Sequence, residues 1–357
     1  MGILIFIIVL LVLIVVHELG HYFAAKSYNV RVDEFGVGYP PKAKTLFKHG
    51  ETKFTLNWIP FGGFVKIFGE NPNDESINGK DSARSLVHKP RYQQAVVLVA
   101  GIVFNLFFAW ALFSWVFMIG APSSISNTVN LDSEVVVLTT EPNSPASDAG
   151  LQPGDRLNAV RLPDGSEVTL RTLEDLKLAV QQSEGNDMEF IVGEEGRSVI
   201  VSPRWSPQGV MIGAGIDSIT PPLGIGKSIV HGANATLRLT IGTATGFAHL
   251  IGGLFTGTAS SEALSGPVGI ATMVDDVAEV GFSYLLAFSA LISINLAIIN
   301  LFPFPALDGG RLLFLGIEAI RQKRMNPRAA NIANGIGFFA LIVLMIFITV
   351  KDILRLV

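Results

Sequence analysis

Uncharged apolar runs alternate with charged stretches along the 357 residues, and four of those runs are long. The first covers residues 1–17 and continues to Ala25, interrupted only by the cluster His17-Glu18-Leu19-Gly20-His21. The others are Tyr92–Leu131, Gly281–Leu307 and Asn331–Val350. Each supplies the ~20 apolar residues that a membrane-crossing helix needs. The pattern predicts spans over 1–25, 92–120, 281–303 (followed by a Leu-Asp-Gly segment to 310) and 331–351. A fifth run, Leu239–Ser261, carries His249 and a series of glycines, which makes a poor span, so 224–257 is expected as a helix at the membrane interface.

Between 126 and 215 the period changes. Ser133–Thr140, Met188–Val192 and Ser198–Ser202 read as short strands between turn-rich stretches. Thr172 caps an amphipathic helix to Gln182 with Leu173, Leu176 and Val180 on one face. Residues 52–68 alternate as two short strands about a Pro/Gly turn.

Charge orients these elements. The connection 26–91 holds eleven Lys and Arg against seven acids, and 308–330 holds five against two. The long segment 120–280 holds eight against nineteen. Positive loops stay cytoplasmic, which puts 26–91 inside and 126–215 outside. No positive segment precedes the first run and no small-residue cleavage site follows it within the apolar stretch, so it is expected to be retained. With 49% hydrophobic and 16% charged residues and a mean hydropathy of +0.47, a purely soluble chain is excluded. The absence of cysteine removes disulfides and thiolate metal ligands. The expected surroundings are a lipid bilayer, with no nucleic-acid partner.

Two histidines four apart on a helix share a face, so His17 and His21 can reach one metal ion. Glu18 sits about 100° round the helix, where it can address a metal-bound water. Ionisable groups in an apolar segment are costly unless paired or metal-bound. A catalytic zinc site commonly takes three protein ligands, and a third donor is needed at the same depth. His49 and His88 fall in the cytoplasmic connection, and His231 and His249 on the outer side. With four spans, Asp308 returns to the face that carries His17 and His21. It follows Asn300-Leu-Phe-Pro303-Phe-Pro305-Ala-Leu, where two prolines disfavour continued helix. Gly309–Gly310 then permits close approach to the metal.

With these residues in place the chain resembles the site-2 protease family of intramembrane zinc metalloproteases, in its bacterial regulator-of-sigma-E form. The HExxH cluster, the Asn-x-x-Pro-x-Pro-x-Leu-Asp-Gly segment from Asn300 to Gly309, and the loop Ile59-Pro-Phe-Gly62-Gly63-Phe64-Val-Lys66 all resemble family motifs. So do Ala100-Gly-Ile-Val-Phe-Asn105 and Ser265-Gly-Pro-Val-Gly269. Ser144-Pro-Ala-x-x-Ala-Gly-Leu-x-x-Gly-Asp155 is similar to a bacterial PDZ domain, in one copy rather than the tandem pair of the best-known sigma-E regulators.

The resemblance implies a polytopic α-helical membrane protein with four transmembrane helices, a membrane-associated β-hairpin and an inserted extracytoplasmic PDZ-like domain. It implies Zn2+ held by His17, His21 and Asp308, with Glu18 as catalytic acid/base. Asn300 and Asn105 are candidate oxyanion or substrate contacts, the resemblance favouring Asn300, and each is equally readable as a helix–helix hydrogen bond. Gly62, Gly63 and Phe64 would offer a strand edge to an unwound substrate. The expected substrates are single-span proteins of the bacterial inner membrane, such as anti-sigma factors or remnant signal peptides, already trimmed by an upstream protease. Two other classes compete: a non-catalytic scaffold with structural zinc, which has no use for Glu18, and a transporter, against which the lack of an internal repeat counts.

Overall fold

The computed structural model describes residues 2–70, 74–126, 133–193, 195–206, 209–257 and 266–356. Ser265 and the stretch 127–132 of the expected outer domain lie outside them. The membrane-proximal half begins α1 (Gly2–Ser27), β1 (Val32–His49), β2 (Thr52–Ile67), α2 (Asp74–Asn78), α3 (Arg91–Ile119) and α4 (Ser123–Ser126). The inserted domain contains β3 (Glu134–Thr140), α5 (Pro145–Asp148), β4 (Arg156–Arg161), β5 (Glu167–Thr169), α6 (Leu173–Gln182) and β6 (Met188–Val192). It closes with β7 (Arg197–Val201), β8 (Arg204–Ser206), β9 (Gly209–Met211) and β10 (Ala214–Ile219). The chain ends in α7 (Ile225–Thr256), α8 (Pro267–Val280), α9 (Phe282–Leu301), α10 (Asp308–Arg321) and α11 (Pro327–Leu356).

Among the described residues, four helices are long and apolar enough to cross a membrane: α1, α3, α9 and the Ala329–Leu354 part of α11. They occupy the four uncharged runs. α1 and α3 meet through glycine: a Cβ on Gly20 would lie 2.4 Å from the Ala100 carbonyl oxygen, and one on Gly101 would lie 2.5 Å from His21 Nε2. Small residues at such a crossing let two backbones close up, and here the space gained is filled by imidazoles. α3 and α9 share an apolar seam that includes Ala109, Phe113, Val116, Ala290 and Ile294.

α7 crosses the far end of α3. The Trp110 indole N–H donates to the Ile229 carbonyl at 3.0 Å, Ala235 joins the α3–α9 core, and the Arg238 guanidinium donates to the Ile125 carbonyl. Beyond Thr240 most of its side chains are exposed.

The inserted domain leaves α3 and returns to nearly the same point. Pro122 bridges Ile219, the Thr220 amide donates to the Ala121 carbonyl, and the Leu223 amide donates to the Phe117 carbonyl. Its sheet runs in the order β10-β3-β4-β6-β7, with β5 added to β4. Val135, Leu157, Met188 and Phe190 fill the core with Leu176 and Val180 of α6. Thr172 and Asp175 form a reciprocal capping box at the start of α6, worth about 1 kcal/mol for the cap alone.

The hairpin differs from the sequence expectation. Thr52–Ile67 is one strand rather than two, and its partner is the preceding stretch Val32–His49. Glu34–Val37 pair on one side with Lys53–Leu56 and on the other with Gly63–Lys66, while Lys42–His49 pair with Thr52–Asn57. The two long strands therefore bend into a small sheet with Gly63–Ile67 along one edge. Alternation within 52–68 was visible locally; the pairing partner, broken by Pro40–Pro41 and crowded with lysine, hides its own strand character. At its base the Glu51 carboxylate accepts from the Arg84 guanidinium and from Lys26 Nζ at 3.2 Å, which holds its pKa down to about 2, Arg84 contributing most.

Candidate metal centre

α1 carries His17 and His21 on the face turned to α3, and both are buried. The third group arrives from a break in the helical path. α9 stops at Leu301, Phe302 is extended, Ala306 adopts φ +79°, and α10 starts at Asp308. Pro303 and Pro305 remove the donors that would continue α9. A Cβ on Gly309 would lie 2.2 Å from the Leu301 carbonyl oxygen, and one on Gly310 would lie 2.2 Å from that of Phe304. The glycine pair lets α10 fold back closely onto the loop that precedes it.

The three donor atoms converge. His17 Nε2 lies 3.0 Å from Asp308 Oδ2, His21 Nε2 lies 3.2 Å from the same oxygen, and the two Nε2 atoms are 3.1 Å apart. Two bonds of ~2.0–2.1 Å at a tetrahedral angle set their donors about 3.3 Å apart, close to these spacings. Among the described residues this is the trio of His and carboxylate groups gathered tightly enough to hold one metal ion.

The tautomers fit the same reading. The His21 Nδ1–H donates to the Val97 carbonyl at 2.8 Å; a carbonyl can only accept, so His21 Nε2 presents a lone pair to the Asp308 carboxylate. Two acceptors facing at 3.2 Å call for a cation or a proton between them.

Asn105 completes the set. Its side-chain nitrogen lies 3.2 Å from His17 Nδ1, and its Oδ1 has no hydrogen-bond partner among the described residues, although the residue is fully buried. Turning the amide over lets Oδ1 accept the His17 Nδ1–H and frees Nε2 as a ligand. Asn105, grouped with the substrate contacts from sequence, therefore sits behind His17 and off the cavity. The sequence shows a polar amide in an apolar helix; which way it faces depends on the rotation of α3 against α1.

The front of the trio opens into a cavity of about 460 Å³. Glu18, Asn300, Gly62, Gly63 and Phe64 line it with the trio, as do Tyr39 and Arg311, which sequence reasoning did not single out. The Val65 backbone N–H faces the Glu18 carboxylate, and a Cβ on Gly63 would lie 3.5 Å from Glu18 Cγ. Among the described residues Gly63–Ile67 pairs with β1 along one side; its other side faces Glu18 and the cavity. A group able to carry a proton, a three-donor nest and a bare strand edge thus share one space.

The pattern of peptidase family M50 matches residues 5–344. A protein of Nostoc sp. (strain PCC 7120) is 35% identical over 99% of this chain and 96% of its own. One from Clostridium perfringens (strain 13 / Type A) is 34% identical over 96% and 95%. Zinc metalloprotease RasP of Shouchella clausii (strain KSM-K16) is 29% identical over 98% of each. All three carry the words zinc metalloprotease in their names. With the match running through α1, the break before Asp308 and most of α11, the chain belongs to peptidase family M50.

Proposed function

We propose that this chain is a multi-pass membrane zinc metalloendopeptidase that cuts single-span proteins within or beside their membrane segments. The observation that carries the reading is the meeting of His17, His21 and Asp308 beside Glu18 on helices apolar enough to cross a bilayer. The family and the names of the relatives support it.

His17, His21 and Asp308 would hold the zinc, which when bound supplies a Lewis acid and brings the pKa of water toward ~7. Glu18 takes a proton from the attacking water and returns it to the leaving amine, as general base and then general acid. The Val65 backbone N–H stands beside its carboxylate on the hairpin side. Asn300 stands in the cavity as an amide donor for the developing oxyanion.

A helical peptide bond is shielded by its own hydrogen bonds, so the substrate is unwound first. The edge Gly63–Ile67 takes it up by strand addition, with Gly62, Gly63 and Phe64 along its track. A backbone so close to lipid is acceptable where it lines a watery cavity.

The charge bias supports a position in a bacterial inner membrane with the catalytic cavity toward the cytoplasm and the PDZ-like domain outside. On that side α7 lies along the interface. The PDZ-like domain acts as a size filter over the site, so substrates such as anti-sigma factors or remnant signal peptides arrive after a first cut by another protease.

The test is cleavage of a single-span reporter by the purified chain in lipid, beside Glu18→Gln. The parent is expected to cut and to stop on zinc removal, while the variant keeps its zinc and loses at least about 100-fold in rate. A variant that cuts at the parent rate would refute the role of Glu18.

A further inference from the structure

Glu70 follows the edge strand Gly63–Ile67 by three residues, its amide donating to the Ile67 carbonyl at 3.2 Å. Arg311 follows Asp308 by three residues, in the first turn of α10. The Arg311 guanidinium donates to the Glu70 carboxylate, and the two side chains are only 27% and 20% exposed. Both line the 460 Å³ cavity, and both also line a neighbouring cavity of about 240 Å³ walled by Phe314, Leu315, Asn331 and Asn334. The ion pair is therefore the partition between the two spaces. It is also a polar tie from the strand that faces Glu18 to the helix that presents Asp308.

A half-buried ion pair is a weak source of stability, because desolvation offsets most of its attraction. The best-attested use of such a pair is to fix one register over its neighbours, since a shifted partner leaves a charge unpaired in a poor solvent. Here the arrangement chosen is the offset between the substrate's track and the metal ligand.

We propose that Glu70 and Arg311 are positioning residues: their ion pair sets the distance and register between the edge strand and Asp308, and so selects which peptide bond of an added strand is cut. The inference rests on the protease reading above. A strand that slides by one residue moves the scissile bond by ~3.3 Å, and misplacement of about 1 Å already costs about 100-fold in rate.

The experiment uses the full chain in lipid with four forms: parent, Glu70→Arg, Arg311→Glu, and the double reversal. Zinc content, kcat, KM and the cleaved bond (by mass spectrometry) are measured on one single-span reporter. Each single reversal is expected to keep its zinc, lower kcat by about 10- to 100-fold with KM little changed, and spread the cut over neighbouring bonds. The double reversal is expected to return kcat to within about threefold of the parent and restore the single cut.

A second readout needs no catalysis. The chain has no cysteine, so spin labels can be placed at Trp58→Cys on the hairpin and Ile320→Cys on α10, both highly exposed. Their distance distribution is expected to broaden in each single reversal and narrow again in the double. The inference is overturned if the singles leave bond choice and distance unchanged, if they lose zinc, or if the double reversal rescues neither readout. A parent that binds zinc and cuts nothing defeats the protease reading, while the label distances still judge the tie.

Discussion

His17 is held from behind by Asn105, and that contact shows how much of the centre lies outside the motif. Replacing Asn105 with Leu removes the acceptor that fixes the His17 tautomer. The expected result is a loss of zinc affinity of about 10- to 100-fold, read by competition against a chelator. Gly101 makes a harsher demand. Its missing side chain is where the two imidazoles sit, so Gly101→Val is expected to drive them apart and abolish stoichiometric zinc binding, measured by metal analysis of the purified chain.

The ligands themselves were readable from the chain because each leaves a chemical anomaly: ionisable groups at a spacing of four in an apolar helix, and a carboxylate after two prolines. Asn105 leaves the same anomaly but not its direction. Tyr39 and Arg311 leave none, since a tyrosine in a strand and an arginine in a polar connection are ordinary until their neighbours are known.

At the scale of elements, the four long apolar helices were legible because length and lack of charge define them almost alone. The hairpin was half legible. Strand pairing is a relation between segments, and Val32–His49 looks unlike a strand until Thr52–Ile67 lies beside it. The tie at its base carries a pH dependence with a definite sign. The Arg84 guanidinium beside Glu51, with Lys26, lowers its carboxyl to about 2 from an ordinary value of 4.5. A depressed carboxyl stabilises the folded form fully above its unfolded pKa and loses that contribution as pH falls through the folded one. Protection of the hairpin amides, taken against the intrinsic exchange rate at each pH, is therefore expected to fall between about pH 4.5 and about pH 2. In Glu51→Gln that window should be flat, and an unchanged acid profile would count against the tie.

At the scale of the whole molecule, the inserted domain and the helices that carry the trio are built separately. The α1, α3 and α9 helices bury one another, whereas only 6% of the apolar window of α11 is buried, even though Phe338 and Leu341 of α11 line the catalytic cavity. The inserted domain has its own core and its own sheet. Removing 126–215 and joining the ends is expected to leave zinc binding intact and to let the enzyme cut reporters whose outer parts have not been trimmed. Unchanged selectivity in that deletion would argue for a ligand-binding role for the domain in place of a filter.

The inserted domain departs and re-enters through one doorway, where Ala121 and Pro122 meet Ile219 and Thr220. Apart from that threshold the domain leans on α8, where a Cβ on Gly154 would lie 3.2 Å from the Glu279 carbonyl oxygen, so few contacts constrain what is housed beyond it. Descendants could enlarge, duplicate or discard that lodger while the helices that carry His17, His21 and Asp308 keep their packing.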